Sequence, residues 1–252
     1  MFLNLIKSII LLGGKMRIPF KSRLLLAIGI CTVVFIAGCV DTSVNPIPSS
    51  INYESQIKVV NLVSGAGQAT LSLDGQSLGT VNFGSEIPGS GTAFLTIPSG
   101  SRTIAATFAS ATGQTYKFAA STEYKYRVFL VGTDSSNELV SMRQRYIWQT
   151  KDSENGAKLF PADTGWVAIF NGSPDAVLNE VSINGTSTSL GDLATGTGYK
   201  YIKLAAGNYT FDVTYDTDQH VTFDYTVASK GRYTAVIYDV AASIKNTVFI
   251  DD

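Results

Sequence analysis

Asn208-Tyr209-Thr210-Phe211-Asp212-Val213-Thr214-Tyr215, then Asp216 to Gln219, then His220-Val221-Thr222-Phe223-Asp224-Tyr225-Thr226-Val227: this stretch decides the fold class. Tyr209, Phe211, Val213 and Tyr215 alternate with polar neighbours. After the polar break, Val221, Phe223, Tyr225 and Val227 do the same. A repeat of two is the signature of a strand with one buried and one wet face. Two such runs joined by a short polar turn read as an antiparallel hairpin. Tyr209, Phe211, Val213 and Tyr215 are expected to point mostly inward, and Asp212 and Asp224 outward.

The same module occurs twice in the chain. Ile57-Lys-Val-Val-Asn61 corresponds to Val167-Ala-Ile-Phe-Asn171, and Leu73-Asp74-Gly75 to Ile183-Asn184-Gly185, each pair 110 residues apart. Ile97-Pro-Ser-Gly100 corresponds to Leu204-Ala-Ala-Gly207, and Tyr126-Arg-Val-Phe-Leu130 to Tyr233-Thr-Ala-Val-Ile237, each 107 apart. A three-residue loop difference reconciles the two offsets. Internal repetition of this kind marks a duplicated structural unit. Asp74-Gly75 and Asn184-Gly185 suit two-residue hairpin turns, which need positive φ at both central positions. No stretch beyond residue 50 keeps helical apolar spacing for three turns. About seven short strands per module, with turn signals every 8–12 residues, predict an all-β chain of two tandem immunoglobulin-like antiparallel β-sandwiches. The Cys-Trp-Cys core of antibody domains is absent. The repeats are placed at 55–146 and 166–252, with 147–165 as linker, and each is expected to carry its own core and to fold alone.

These halves resemble a bacterial family catalogued as domain of unknown function 4397. Its copies run from a strand into Asn-x-Ser-Pro-Asp-Ala, then a Val-Asp-Gly turn, then a Leu-Pro-Ala-Gly-x-Tyr strand. Asn171-Gly172-Ser173-Pro174-Asp175-Ala176, Ile183-Asn184-Gly185 and Leu204-Ala205-Ala206-Gly207-Asn208-Tyr209 carry the resemblance in the second half. The first half keeps Asn61, Asp74-Gly75 and Ile97-Pro98-Ser99-Gly100, but has Leu62-Val-Ser-Gly-Ala66 in place of Ser-Pro-Asp-Ala. The resemblance implies a secreted or surface sandwich, often in tandem, and carries over no catalytic residue.

The N-terminal part reads as an address. Arg17, Lys21 and Arg23 precede a 15-residue apolar run, Leu24–Gly38. That length suits a signal peptide, whereas a membrane-spanning helix needs about 20 residues. Ile36-Ala37-Gly38-Cys39 resembles the bacterial lipobox, which implies lipid attachment at Cys39 and cleavage before it. Residues 1–38 are thus expected to hold the signal peptide, and since everything a signal needs begins at Met16, translation is expected to start there rather than at Met1. Residues 39–54, with Pro46, Pro48 and their Ser and Asn content, read as the lipidated cysteine and a tether reaching about 20 Å. Val40, rather than Asp, follows the cysteine. By the sorting rule known in enterobacteria this favours the outer over the inner membrane.

The chain has 19 Lys and Arg against 20 Asp and Glu. Five of the bases (Lys7, Lys15, Arg17, Lys21, Arg23) and none of the acids lie in 1–38. What remains is acidic, near −6, which argues against nucleic acid as partner. The expected contacts are the membrane, through the N-terminal lipid, and an envelope polysaccharide or protein.

The polar residues form no recognisable catalytic pattern. His220 is the only histidine, and no nucleophile elbow accompanies it. Asp212, Asp216, Asp218 and Asp224 lack the spacing of a calcium loop. Tyr124-Lys125-Tyr126-Arg127 and Tyr199-Lys200-Tyr201 place tyrosines in pairs on a strand face, where cross-strand or core packing is the expected role. No catalytic residue, metal site or cofactor is expected. The candidate binding loop is Ser173-Pro174-Asp175, at the end of a sandwich. The functional expectation is a lipid-anchored envelope protein of structural or binding type. The alternative is a glycan hydrolase working through paired carboxylates.

Overall fold

The computed structural model describes residues 53–89, 91–145, 163–198 and 201–251. The expected signal peptide, the lipobox Ile36–Cys39 and most of the tether and linker lie outside the described residues. The first half contains β1 (Glu54–Ser64), β2 (Ala69–Leu73), β3 (Gln76–Val81), β4 (Ser85–Ile87), β5 (Leu95–Pro98), β6 (Gly100–Phe108), β7 (Gln114–Ala120), β8 (Tyr124–Thr133) and β9 (Asn137–Arg145). The second contains β10 (Thr164–Gly172), β11 (Leu178–Ile183), β12 (Thr186–Ser187), β13 (Ile202–Ala205), β14 (Gly207–Tyr215), β15 (Gln219–Val227), β16 (Arg232–Tyr238) and β17 (Lys245–Ile250).

Each half is a sandwich of two sheets. In the first, an outer sheet β3-β2-β6-β7 faces an inner sheet β4-β1-β8-β9, with β5 also paired to β1. In the second, β12-β11-β14-β15 faces β13-β10-β16-β17. The strand order repeats across the halves. So do the turns: Asp74 and Gly75 have φ of 49° and 82°, Asn184 and Gly185 of 49° and 75°. The side chains of Asp74 and Asn184 accept the backbone N–H of Thr103 and Thr210 at 2.8 and 2.9 Å, which pins each hairpin to the neighbouring strand. The outer hairpin β14–β15 follows its alternation. Phe211 and Val213 are fully buried, Tyr215 is buried, and Asp224 is exposed.

The all-β sandwich is thus as read, but the inner sheets are not purely antiparallel. β1 runs parallel to β8 from Gln56↔Lys125 to Ser64↔Thr133, and β10 parallel to β16 from Trp166↔Arg232 to Gly172↔Tyr238. A parallel pair needs a long crossover. Here the whole outer sheet supplies it. Parallel strands are usually covered on both faces, and these are. Val59, Val63, Val128 and Leu130 face the first sandwich core, which also holds Leu71 and Ile104. Val167, Ile169, Ala235 and Ile237 face the second, with Phe211 and Val213. The alternate residues Val60, Leu62, Phe129, Val131, Ala168, Phe170, Val236 and Tyr238 form a third core, joined by Phe249. This third core lies between the two inner sheets. The described residues form a stack of four β-layers, outer–inner–inner–outer.

The contact between halves is close. Phe129 and Phe170 stack with centroids 4.0 Å apart and planes 14° from parallel. Phe83 meets Tyr238 edge-on at 5.3 Å. A Cβ on Gly172 would lie 2.5 Å from Leu62 Cδ1. The expectation of halves that fold alone therefore meets an obstacle: separation would expose this third core.

Candidate functional site

Two places in the fold gather side-chain chemistry. The first is the loop leaving β10. Asn171, fully buried, donates from Nδ2 to Ala176 O at 2.8 Å and Leu193 O at 2.9 Å, and its Oδ1 accepts from Ser173 N at 2.9 Å. Ser173 is itself buried; its Oγ accepts from Ala176 N at 3.1 Å and donates to Asp175 Oδ1 at 3.2 Å. Asp175 Oδ1 also accepts the N–H of Ala241 at 2.8 Å. The Asn-x-Ser-Pro-Asp pattern is thus a self-bonded turn. Pro174 is half-buried, and Asp175 and Val177 are exposed at its tip. Asn61 does the same work in the first half: its Nδ2 donates to Gly67 O and Val81 O at 2.8 and 3.3 Å, and its Oδ1 accepts from Val63 N.

The second place lies between the inner sheets, beyond one end of the third core. Lys58 of β1, Lys125 and Arg127 of β8, and Arg232 and Thr234 of β16 occupy the face of their strands that meets the other half. Lys58 Nζ donates to Glu86 Oε1 at 2.5 Å and to Gly91 O at 2.6 Å. Arg127 bridges two carboxylates: Nη1 is bonded to Asp251 Oδ1, and Nη2 is 3.1 Å from Glu86 Oε2. Asp251 Oδ2 accepts from Tyr201 OH at 3.0 Å and Thr234 Oγ1 at 2.8 Å, and Lys125 Nζ donates to Asp251 O at 3.3 Å. The Phe94 ring lies 4.9 to 5.7 Å from the cationic groups of Lys58, Lys125 and Arg127. The side chains of Lys58 and Arg127 are completely buried, as is that of Asp251.

Burial sets the proton affinities here, because water no longer stabilises the charged forms. It lowers Lys58 despite the pull of Glu86, and raises Glu86 despite Arg127 and Lys58. It lowers Lys125 to about 8, with the neighbouring Arg232 adding to the effect. It raises the Tyr201 hydroxyl, with the Asp251 charge helping. At the opposite end of the interface a smaller polar seal closes the gap. Asp239 of the second half accepts from Ser64 Oγ of the first at 2.5 Å and from Lys245 Nζ at 2.8 Å. Burial would raise Asp239, but the bonds from Lys245, Ser64 and the Val240 N–H outweigh it and hold the carboxyl below its ordinary value.

Lys58, Glu86, Lys125, Arg127, Arg232 and Asp251 are scattered in sequence and form no motif. The signal was present: charges at alternate positions inside otherwise apolar strands, as in Ile57-Lys58-Val59 and Tyr126-Arg127-Val128. The paired tyrosines divide. Tyr126 is a core residue whose OH accepts Ser121 N at 2.8 Å and donates to Ala119 O at 3.1 Å, and Tyr233 OH accepts Ala228 N in the equivalent place. Tyr201 joins the ionic cluster, while Tyr199 and Lys200 lie outside the described residues.

His220 sits at the exposed start of β15, with Nδ1 3.2 Å from Asp212 Oδ1. Its surroundings are an outward-facing ladder in which each threonine meets a polar partner: Thr226–Asn208 at 2.7 Å, Thr210–Asp224 at 2.6 Å, Thr222–Asp212 at 3.3 Å. Among the described residues, no group of three or more His, Cys, Asp or Glu is placed to hold a metal ion.

Residues 165–252 match the family described as Domain of unknown function (DUF4397). The match covers β10 to β17, and so includes the Asn171–Asp175 turn, Tyr233 and the second half's share of the ionic cluster, Arg232, Thr234 and Asp251. No curated protein matches the chain.

Proposed function

We propose that this protein is a non-enzymatic structural or binding module of the bacterial cell envelope. It is held to the membrane by lipid on Cys39, after cleavage of a signal peptide that ends in the lipobox Ile36-Ala37-Gly38. The outer membrane is favoured over the inner. The first half is a diverged second copy of the family module matched by the second half. Its strand order and the equivalences Asn61/Asn171, Asp74/Asn184 and Tyr126/Tyr233 support that reading.

The observation that carries the non-enzymatic reading concerns the carboxylates. A glycan hydrolase needs two carboxyls flanking a substrate cleft. The two that the fold brings to one cation, Glu86 and Asp251, are shut between the halves and engaged by Lys58, Arg127, Tyr201 and Thr234. A pair so enclosed reaches neither substrate nor water. Recognition is left to the loop ends, where Pro174, Asp175 and Val177 stand on a turn locked by Asn171 and Ser173. The partner expected there is an envelope polysaccharide or protein.

The test has two arms. The full chain with Cys39→Ser, expressed in a lipoprotein-processing bacterium, should be released from the membrane fraction or accumulate as uncleaved precursor; normal processing and retention would refute the anchor. The wild-type protein is then offered peptidoglycan, envelope polysaccharides and chromogenic glycosides. Retention on a polysaccharide, weakened by replacing Ser173-Pro174-Asp175 with Gly-Ser-Gly, supports binding. Hydrolysis abolished by one Asp or Glu substitution would refute the non-enzymatic reading.

A further inference from the structure

The last strand of the second outer sheet, β15, is an unusually open edge. Among the described residues it pairs only with β14. It is nine residues long, with no proline, lysine or arginine. Natural edge strands are normally blunted by a charge (lysine above all), a proline, a bulge or shortness, since their free N–H and C=O groups template further pairing; of the acids and bases β15 carries only Asp224 and His220, and Asp224 is already bonded to Thr210 of β14. The equivalent edge strand of the first half, β7, has Lys117 exposed at its centre, where β15 has Asp224. β15 also leaves its inward side incompletely covered. Val221, Phe223 and Tyr225 are half-buried, whereas Phe211 and Val213 of β14 are fully buried.

The sequence of β15 supplies the complement. β14 carries Thr210-Phe211-Asp212 and β15 carries Thr222-Phe223-Asp224. Their antiparallel register sets Thr210 against Asp224, Phe211 against Phe223 and Asp212 against Thr222. The phenylalanines stack at 5.1 Å, and Thr210 bonds Asp224 at 2.6 Å. A Thr-Phe-Asp triad paired antiparallel with itself gives the same three partners.

We infer that β15 pairs with β15 of a second copy of this chain, about a two-fold axis at Phe223. Thr222 then faces Asp224 of the partner copy, Phe223 faces its own counterpart, and Val221 faces Tyr225. The backbone groups used are those pointing away from β14, because successive residues of a strand direct their N–H and C=O to opposite neighbours. The two Asp224 carboxylates become diagonal neighbours. The fold already tolerates that relation between Asp212 and Asp224. The outer sheets of two copies join into one continuous eight-stranded sheet, and the contact is isologous, so it closes at two.

The test is disulfide trapping in the full chain, whose natural cysteines, Cys31 and Cys39, lie far from β15 in sequence. Thr222→Cys with Asp224→Cys should give a reducible species of twice the mass on mild oxidation of membranes. Two residues apart on one extended strand are too distant to bridge within a chain. Thr222→Cys with Thr226→Cys, which matches registers centred on residue 222, 224 or 226 but not 223, should give far less. Equal or greater trapping in the shifted registers overturns the proposal, as does no trapping in a variant whose circular dichroism matches wild type. If the variants do not fold, wild-type hydrogen exchange decides. Peptides covering 219–227 should exchange more slowly as protein concentration rises, and concentration-independent exchange overturns the pairing.

Discussion

Replacing Phe170 by Ala tests whether the two sandwiches are one cooperative unit. Phe170 belongs to the second half by sequence, but its side chain lies in the third core, stacked 4.0 Å from Phe129 and almost fully buried. Truncating a buried phenylalanine costs about 3–5 kcal/mol, with the larger values where the site cannot collapse. Collapse is restricted here, because both rings stand on strands whose backbones are fixed by parallel partners. For a unit of this size the loss corresponds to a fall in Tm on the order of 10 °C. The stack itself adds about 1 kcal/mol beyond burial. A double-mutant cycle of Phe129→Ala and Phe170→Ala should therefore show coupling of that size. The informative assay is hydrogen exchange on the full chain. In the Phe170→Ala variant, amides of β1 and β8, in the other half, should lose protection by the same free energy as amides of β10 and β16. Loss confined to the second half, or two separate melting transitions of which only one moves, would refute the shared core.

Other consequences are narrower. Gly172→Ala places a methyl 2.5 Å from Leu62 Cδ1; overpacking of this kind should cost about 1–3 kcal/mol in urea unfolding, and a neutral result would mean the inner sheets are free to slide apart. Asn171→Ala removes three bonds from a buried turn and should destabilise by about 2–3 kcal/mol or more, with Asn61→Ala following in the first half; an unchanged midpoint for both would dismiss the turn as a lock. For Lys125 the folded pKa near 8 lies below the ordinary 10.5. Between those values the unfolded chain holds a proton that the folded chain has released, so this residue's contribution to stability rises with pH. The stability of wild type relative to Lys125→Met should accordingly climb from pH 8 to 9.5, and a constant difference would contradict the assignment.

What the sequence made legible was whatever repeats every two residues or depends on a turn. Tyr209 to Tyr215 and Val221 to Val227 declared a half-exposed hairpin, and Asp74-Gly75 and Asn184-Gly185 declared their turns. The inner strands were harder. Val59-Val60-Asn61-Leu62-Val63 and Val128-Phe129-Leu130-Val131 have no alternation to read, because both faces are covered, one by a sandwich core and one by the other half. The direction of pairing was equally hidden. A parallel partner 69 residues away leaves no local mark, whereas a hairpin announces itself in its turn. The ionic cluster escaped for a related reason. Lys125 and Arg127 sit among tyrosines that suggest a wet outer face, and only the arrival of the second half turns that face into an interior. In the Ser173–Asp175 loop the residue types were visible, but not that Ser173 is spent on holding the turn.

The parallel pairing also fixes an order in time. Gln56 cannot find Lys125, nor Trp166 find Arg232, until the intervening outer sheet has been synthesised. Closing such long loops before any contact rewards them slows folding. The interface comes later still. Arg127 waits for Asp251, which follows β17, and until that carboxylate arrives the guanidinium has Glu86 and the Phe94 ring of its own half but neither Asp251 nor the Phe249 ring. A nascent chain holding the first half alone therefore keeps an unfinished, partly charged face open to water, and the four layers can lock only after the second half has followed.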